Sequence, residues 1–287
     1  MVTNLKHDAV EADGEFIARA RAGDMDAMDT LVRRHQSWVF NLALRMVWRR
    51  DAAEDATQEI LIKAVTRLDQ FAGESAFRTW LYRIAVNHLL NVRQSEMEMK
   101  SMTFTDMGTS LEGVPDGDLP DERAVPVELP LLLEEARLGC VTAMLMCLDR
   151  RQRLAFILGE VLGETSATGA AAMDVSSDNF RQLLSRARRD LYQFMNEKCG
   201  LVNQSNPCRC ARKAAGFMRN GWLDATGLTF SRDRLAAVAS MTPDRLAELE
   251  TMERQHAEIY RAQPFLAGPD LAAKLRVILT RSSFDGN

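Results

Sequence analysis

Apolar residues recur every three or four positions along most of this chain, a spacing that predicts amphipathic α-helices. One such run covers residues 31–47 and would bury Leu31, Val32, Trp38, Val39, Leu42, Ala43 and Met46. A second covers residues 54–68 and would bury Ile60, Leu61, Ala64, Val65 and Leu68. The alternation typical of strands is not convincing anywhere, so the pattern predicts an all-α protein.

A third helix, at residues 77–92, has an informative polar face. Its apolar face would hold Phe77, Trp80, Leu81, Ile84, Ala85, Leu89 and Val92. The opposite face carries Arg78, Thr79, Tyr82, Arg83, Asn87 and Asn91. Cations, an aromatic ring and amides suit a partner with a charged backbone and exposed bases. On periodicity alone, a solvated face of an ordinary helix is an equally good interpretation.

The second half of the chain has the pattern of a helix-turn-helix. A short helix at residues 166–173 is followed by a turn at Asp174-Val175 and by a longer helix that Ser176 or Ser177 would cap. The longer helix would bury Phe180, Leu183, Leu184, Ala187 and Leu191. It would expose Asn179, Arg181, Gln182, Ser185 and Arg186, residue types that reach base edges and phosphates in a major groove, and also Arg189.

Between these halves, residues 95–130 break the helical pattern. Glycines and prolines accumulate there, together with the acids Glu96, Glu98, Asp106, Glu112, Asp116, Asp118, Asp121, Glu122 and Glu128. This composition predicts an extended acidic linker.

Composition limits the function classes. The chain has 287 residues, 46% hydrophobic and 26% charged, with a net charge of −4, which describes an ordinary protein of two or three small domains. The sequence contains neither a membrane-spanning apolar run nor the pattern of a signal peptide, so we predict a cytoplasmic protein without membrane insertion. The histidines are scattered and a catalytic constellation is lacking, so we do not expect an enzyme.

Three segments resemble, in order and spacing, the motifs of the extracytoplasmic-function (ECF) RNA polymerase sigma factors of the sigma-seventy family. Residues 51–60 resemble the polymerase-binding segment, residues 77–87 the promoter-melting helix, and residues 149–191 the promoter-reading helix-turn-helix. Together they cover residues 15–196. Two positions depart from the family pattern: Asp174, where many relatives have glycine, and Leu148-Asp149-Arg150, where a Leu-Pro start is common.

The resemblance implies a division into domains and sites. Residues 15–95 would be sigma region 2, residues 96–130 a linker threading polymerase channels, and residues 131–196 sigma region 4, which reads the minus-thirty-five element. Core RNA polymerase would bind Asp51, Asp55, Gln58 and Glu59, and the minus-ten element would contact Arg78, Tyr82, Arg83 and Asn87. Promoter DNA is thus a second partner, and the resemblance also allows an anti-sigma factor.

Residues 197–287 lie outside the resemblance and form an extension in which we predict a small helical, regulatory module. Cys199, Cys208 and Cys210 cluster at its start and could bind zinc, act in redox chemistry or only pack. His256 is a candidate fourth ligand, although its place on the apolar face of a predicted helix is more typical of a core histidine. Cys140 and Cys147 lie near an apolar helix face and are predicted to be core residues. The alternatives to a sigma factor are a helix-turn-helix regulator that acts without polymerase and a metal- or redox-responsive interaction protein.

Overall fold

The computed structural model describes residues 4–92, 102–118, 129–224, 260–261 and 269–282. Within these ranges the regular elements are helical, apart from one isolated parallel bridge between Cys199 and Cys208. The prediction of an all-α protein is confirmed. The helices are α1 (Asn4–Arg21), α2 (Met25–Val47), α3 (Arg50–Thr66), α4 (Phe77–Asn91), α5 (Phe104–Gly113), α6 (Leu129–Met146), α7 (Arg150–Phe156), α8 (Ser166–Met173), α9 (Ser177–Lys198), α10 (Cys210–Arg219) and α11 (Ala272–Ser282).

The chain divides into two compact units. The first contains Met1–Arg93, Ser166–Phe180 and Phe265–Asn287, and the second contains Gln94–Thr165 and Arg181–Pro264. In the described part of the chain, no helix is both long enough and apolar enough to cross a membrane.

Helix α2 forms the centre of the first unit. Asp24 caps it by accepting hydrogen bonds from the backbone N–H groups of Asp26 and Ala27, which satisfies two donors that a helix start leaves unpaired. Val39 and Phe40 are fully buried along it, and α1, α3 and α4 pack around it. This packing holds α3 and α4, the two helices that carry predicted contact residues, in fixed positions.

The C-terminal helix α11 also packs on α2 within the first unit. Arg276 pairs with Asp26 and with Asp29, and Arg33 pairs with Asp270 at 2.7 Å. Leu271, buried beside α2, donates its backbone N–H to the side chain of Gln36.

In the second unit, α5 lies inside the predicted linker. Thr103 and Asp106 form a reciprocal capping box at its start, and Met107 and Leu111 are buried. The ring of Phe104 packs 5.2 Å from the ring of Phe194. The prediction of an extended chain is therefore wrong for residues 104–113, because a short apolar stripe was hidden by the surrounding glycines, prolines and acids.

Helix α7 carries the main polar groups buried in the second unit. It continues as a π-helical turn, Ile157–Val161, and the chain then turns at Gly163, whose φ is 65°. Arg153 is 2% exposed and donates to the carbonyl oxygens of Leu145, Met146 and Leu148, which closes the end of α6.

Glu160, on the π-helical turn, is also 2% exposed. Arg188 of α9 and Arg261 of the extension both bind its carboxylate, and Tyr260 is fully buried against Phe156 and Met144. Tyr260 and Arg261 of the extension are therefore part of the packing of the second unit.

Candidate polymerase- and promoter-binding surfaces

One face of α3 is acidic and open to solvent. Asp51, Asp55 and Glu59 are exposed at intervals of four residues, and Gln58 is half-buried beside them. The opposite face buries Ala53, Ala56, Thr57 and Ile60. The helix therefore presents its carboxylates as one stripe while its apolar side fixes their orientation.

The two ends of this stripe have basic neighbours. Arg49 Nε donates to Asp51 Oδ1 at 3.0 Å, and this hydrogen bond is the main cause that lowers the pKa of Asp51. Glu59 Oε2 lies 3.6 Å from Lys63 Nζ and 3.7 Å from His88 Nδ1. The carboxylates of Asp51, Asp55 and Glu59 are thus exposed to a cationic partner.

His88 links α3 to α4. Its Nδ1 lies 2.8 Å from Lys63 Nζ, and its pKa is lowered, first by burial and then by the charge of Lys63. A neutral imidazole can accept a hydrogen bond from the ammonium group at this position.

Tyr82 does not lie on the exposed face of α4. It is 0% exposed, its ring centroid lies 4.6 Å from that of Trp38, and its hydroxyl oxygen accepts hydrogen bonds from Arg78. The guanidinium of Arg78 in turn lies 5.3 Å from the ring of Trp38. The prediction that Tyr82 lies on the open polar face of α4 is wrong, because α4 buries two adjacent faces and α2 covers the one with Tyr82.

Arg83 and Asn87 remain exposed on α4, four residues apart. Arg83 Nε donates to the carbonyl oxygen of Ala171 at 3.0 Å, and α4 packs along α8, the first helix of the helix-turn-helix. This contact had no signal in the sequence, because α8 is a run of small residues without an evident partner.

The turn between α8 and α9 lies at the predicted position. Asp174 has a φ of 52°, in the left-handed region that glycine would occupy more easily. Ser176 Oγ accepts a hydrogen bond from the backbone N–H of Asn179 at 3.2 Å, so Ser176 is the residue that caps α9. A methyl group added at Gly169 would lie 2.3 Å from the ring of Phe180, so glycine is required for the two helices to approach.

Helix α9 exposes every residue for which a DNA contact is predicted: Asn179, Arg181, Gln182, Ser185 and Arg186. Two further arginines differ in their surroundings. Arg188 is bound to the buried Glu160, and Arg189 pairs with Asp190 at 2.8 Å. The structure thus distinguishes a structural arginine, Arg188, from Arg181 and Arg186, which are exposed on α9.

The three clustered cysteines also come together. Cys199, Cys208 and Cys210 line one small cavity in the second unit. Burial raises the pKa of Cys199 and of Cys208, and raises that of Cys210 to about 12, so all three are protonated at neutral pH. His256, the candidate fourth ligand, lies outside the described residues.

Two regions of the chain match known protein families. The profile of Sigma-70 region 2 matches residues 31–97, and that of Sigma-70, region 4 matches residues 138–191. The ECF RNA polymerase sigma-E factor of Escherichia coli (strain K12) is 35% identical over 176 residues, which cover 61% of this chain and 90% of that protein. The RNA polymerase sigma-H factor of Pseudomonas aeruginosa is 43% identical over 81 residues, which cover 28% of this chain and 42% of that protein.

Among solved structures, CnrH in complex with the cytosolic domain of CnrY has a TM-score of 0.46 and 21% identity, covering 64% of this chain and 97% of that chain. The sigma factor RpoE in complex with the anti-sigma factor NepR from Bartonella quintana has a TM-score of 0.40 and 23% identity, covering 58% of this chain and 95% of that chain.

The helical fold and the two matched regions define a transcription factor of the sigma-70 class. Within that class, the chain belongs to the ECF RNA polymerase sigma factors. Such a factor binds core RNA polymerase and promoter DNA and directs promoter-specific initiation of transcription. A helix-turn-helix regulator that acts without polymerase would not need the region 2 that this chain contains.

Proposed function

We propose that three surfaces of this sigma factor divide the work of initiation. The acidic stripe of α3 docks on core polymerase, Arg83 and Asn87 of α4 contact the melted minus-ten element, and the exposed residues of α9 read the minus-thirty-five element. The observation that carries this proposal is the exposure of these side chains on helices whose opposite faces are buried. The protein acts in the cytoplasm, and the polymerase supplies all the chemistry.

The docking surface is tested by reversing two charges. Replacing Asp55 and Glu59 with lysine should abolish co-purification with core polymerase, because a cationic stripe repels a surface that binds carboxylates. The matched control reverses Asp69 and Glu74, which are exposed acids outside α3, and should bind like wild type. A folded double variant at Asp55 and Glu59 with undiminished binding would refute this surface.

The two DNA-binding surfaces are separated by measuring binding and opening independently. Arg186→Ala should weaken minus-thirty-five binding by about 1–3 kcal/mol, the value of a bidentate base contact. Arg189→Ala, beside Asp190, is its control and should change binding much less. Asn87→Ala should leave closed-complex binding largely intact but reduce permanganate reactivity of the opened strand. Equal defects for Arg186→Ala and Asn87→Ala would contradict this division of labour.

The extension is proposed to be regulatory. Its residues bind within both compact units: Tyr260 and Arg261 in the second, and Asp270, Leu271 and Arg276 in the first. These contacts would hold the extension in a state that lowers the activity of the factor. Run-off transcription with Arg276→Ala should rise above that of wild type at equal factor concentration. Unchanged transcription would argue against regulation through this contact.

A further inference from the structure

A fourth cysteine joins the cluster at the start of the extension. Cys140 of α6 lines the same cavity as Cys199 at the end of α9 and Cys208 and Cys210 at the start of α10. The cavity has a volume of about 20 Å³. Cys147, the remaining cysteine of the chain, does not line it and instead lies with its sulfur 3.8 Å from the carbonyl oxygen of Ala143. Three separate segments therefore bring four thiols to the wall of one cavity.

The backbone is shaped to hold Cys199 beside Cys208. The two residues form the isolated parallel bridge, although eight residues separate them in the chain. A side chain at Gly200 would place its first carbon 2.1 Å from the carbonyl oxygen of Cys208. Glycine at position 200 thus allows the backbone at Cys199 and the backbone at Cys208 to lie this close together.

Polar side chains fix the loop that separates these two cysteines. Asn206 Nδ2 donates to the carbonyl oxygen of Asn196 at 2.9 Å, and Arg209 Nη2 donates to that of Gln204 at 2.7 Å. Such bonds order a loop before any ligand arrives, which lowers the entropic cost of bringing its thiols together.

We propose that Cys140, Cys199, Cys208 and Cys210 bind one zinc ion as four thiolates. Four sulfur ligands are the closed set that structural zinc prefers, and the rest of the cavity wall is mostly apolar, as suits a site closed to water. In the described part of the chain, no group of three or more cysteines, histidines or carboxylates is already arranged as metal ligands. Binding therefore requires the sulfurs to move inward, which changes of cysteine side-chain rotamer allow.

Basic residues near the cavity can offset the charge of such a site. Zinc with four thiolates carries two net negative charges. Arg137 and Lys198 line the cavity, and Lys213 lies near Cys208. Each is also paired with a carboxylate, Lys198 with Glu112 at 2.5 Å and Lys213 with Asp116 at 3.0 Å. Binding of the zinc ion would therefore rearrange ion pairs that already exist and would not require new ones.

A zinc ion at this site would make the attachment of the extension depend on metal. Zinc would fasten α10 to α6 and α9, and its binding energy would add to the stability of this junction. Loss of the metal would then release the start of the extension without unfolding the helix-turn-helix.

The test uses the full chain, purified without chelator under reducing conditions, and measures zinc by elemental analysis. Wild type and the matched control Cys147→Ser should carry about one zinc per chain, as a closed structural site does. Cys140→Ser should bind zinc about tenfold more weakly or worse in competition with a chelator, because one of four ligands is lost. Circular dichroism checks that each variant is folded.

Cobalt titration of the stripped wild-type protein gives a second readout that does not depend on variants. A four-thiolate site should produce tetrahedral ligand-field bands and sulfur-to-cobalt charge transfer of four-thiolate intensity. Three results would overturn the proposal: wild type without zinc or cobalt spectrum, Cys140→Ser with the zinc affinity of Cys147→Ser, or a Cys199–Cys208 disulfide under the same reducing conditions.

Discussion

Replacing Arg261 with alanine should loosen the second unit around Glu160. The carboxylate of Glu160 is 2% exposed and receives Arg188 Nε at 2.6 Å on one oxygen and Arg261 Nη2 at 3.1 Å on the other. Arg261 Nε also donates to the backbone carbonyl oxygen of Glu160 at 2.8 Å. The substitution therefore leaves a buried carboxylate with one cation instead of two.

The expected cost lies between two limits. Removing one partner of a fully buried ion pair costs about 3–5 kcal/mol, whereas an exposed pair contributes about 0–1 kcal/mol. The side chain of Arg261 is 47% exposed, and Arg188 still pairs with Glu160 in the variant. We therefore expect a loss of about 2 kcal/mol of local stability, which corresponds to opening that is about 30 times more frequent.

Hydrogen–deuterium exchange of peptides that span α7 and the π-helical turn measures this opening. The control Arg219→Ala removes an exposed arginine of the same unit and should change exchange little. In a Glu160→Gln background, Arg261→Ala should cost less than about 1 kcal/mol, because the buried charge is already gone. Equal acceleration by Arg261→Ala in both backgrounds would show that the effect does not come from Glu160.

Two further predictions concern the first unit. Gly169→Ala should destabilise it by about 1–3 kcal/mol in thermal unfolding, because the added methyl group meets the ring of Phe180. The control Gly14→Ala has open space around the added methyl group and should be neutral or stabilising. Burial acts to raise the pKa of Asp13, but hydrogen bonds from His35 and Arg34 lower it overall. The charged Asp13 therefore stabilises the unit at pH values above its ordinary pKa, and this contribution is lost as pH falls through the lowered pKa. Asp13→Asn should therefore make the free energy of urea unfolding less dependent on pH on the acid side. An unchanged pH dependence would contradict this role.

The spacing of apolar and capping residues along the chain predicted much of this structure. The spacing of Leu81, Ala85 and Leu89 gave the buried face of α4, and Ser176 was one of two predicted caps of α9. These features depend on neighbours one or two helical turns away, which a sequence displays directly. The exposed stripe of α3 followed from the same periodicity.

The features that could not be predicted from the sequence depend on contacts between residues far apart in the chain. Tyr82 is buried because Trp38 of another helix covers it. Helix α5 is stabilised in part because Phe104 packs against Phe194, ninety residues further along the chain.

Cys140 lies a long way along the chain from Cys199, and only packing places them on one cavity. Periodicity decides which face of a helix is apolar, whereas the partner that covers that face is chosen by the free energy of the whole packed unit.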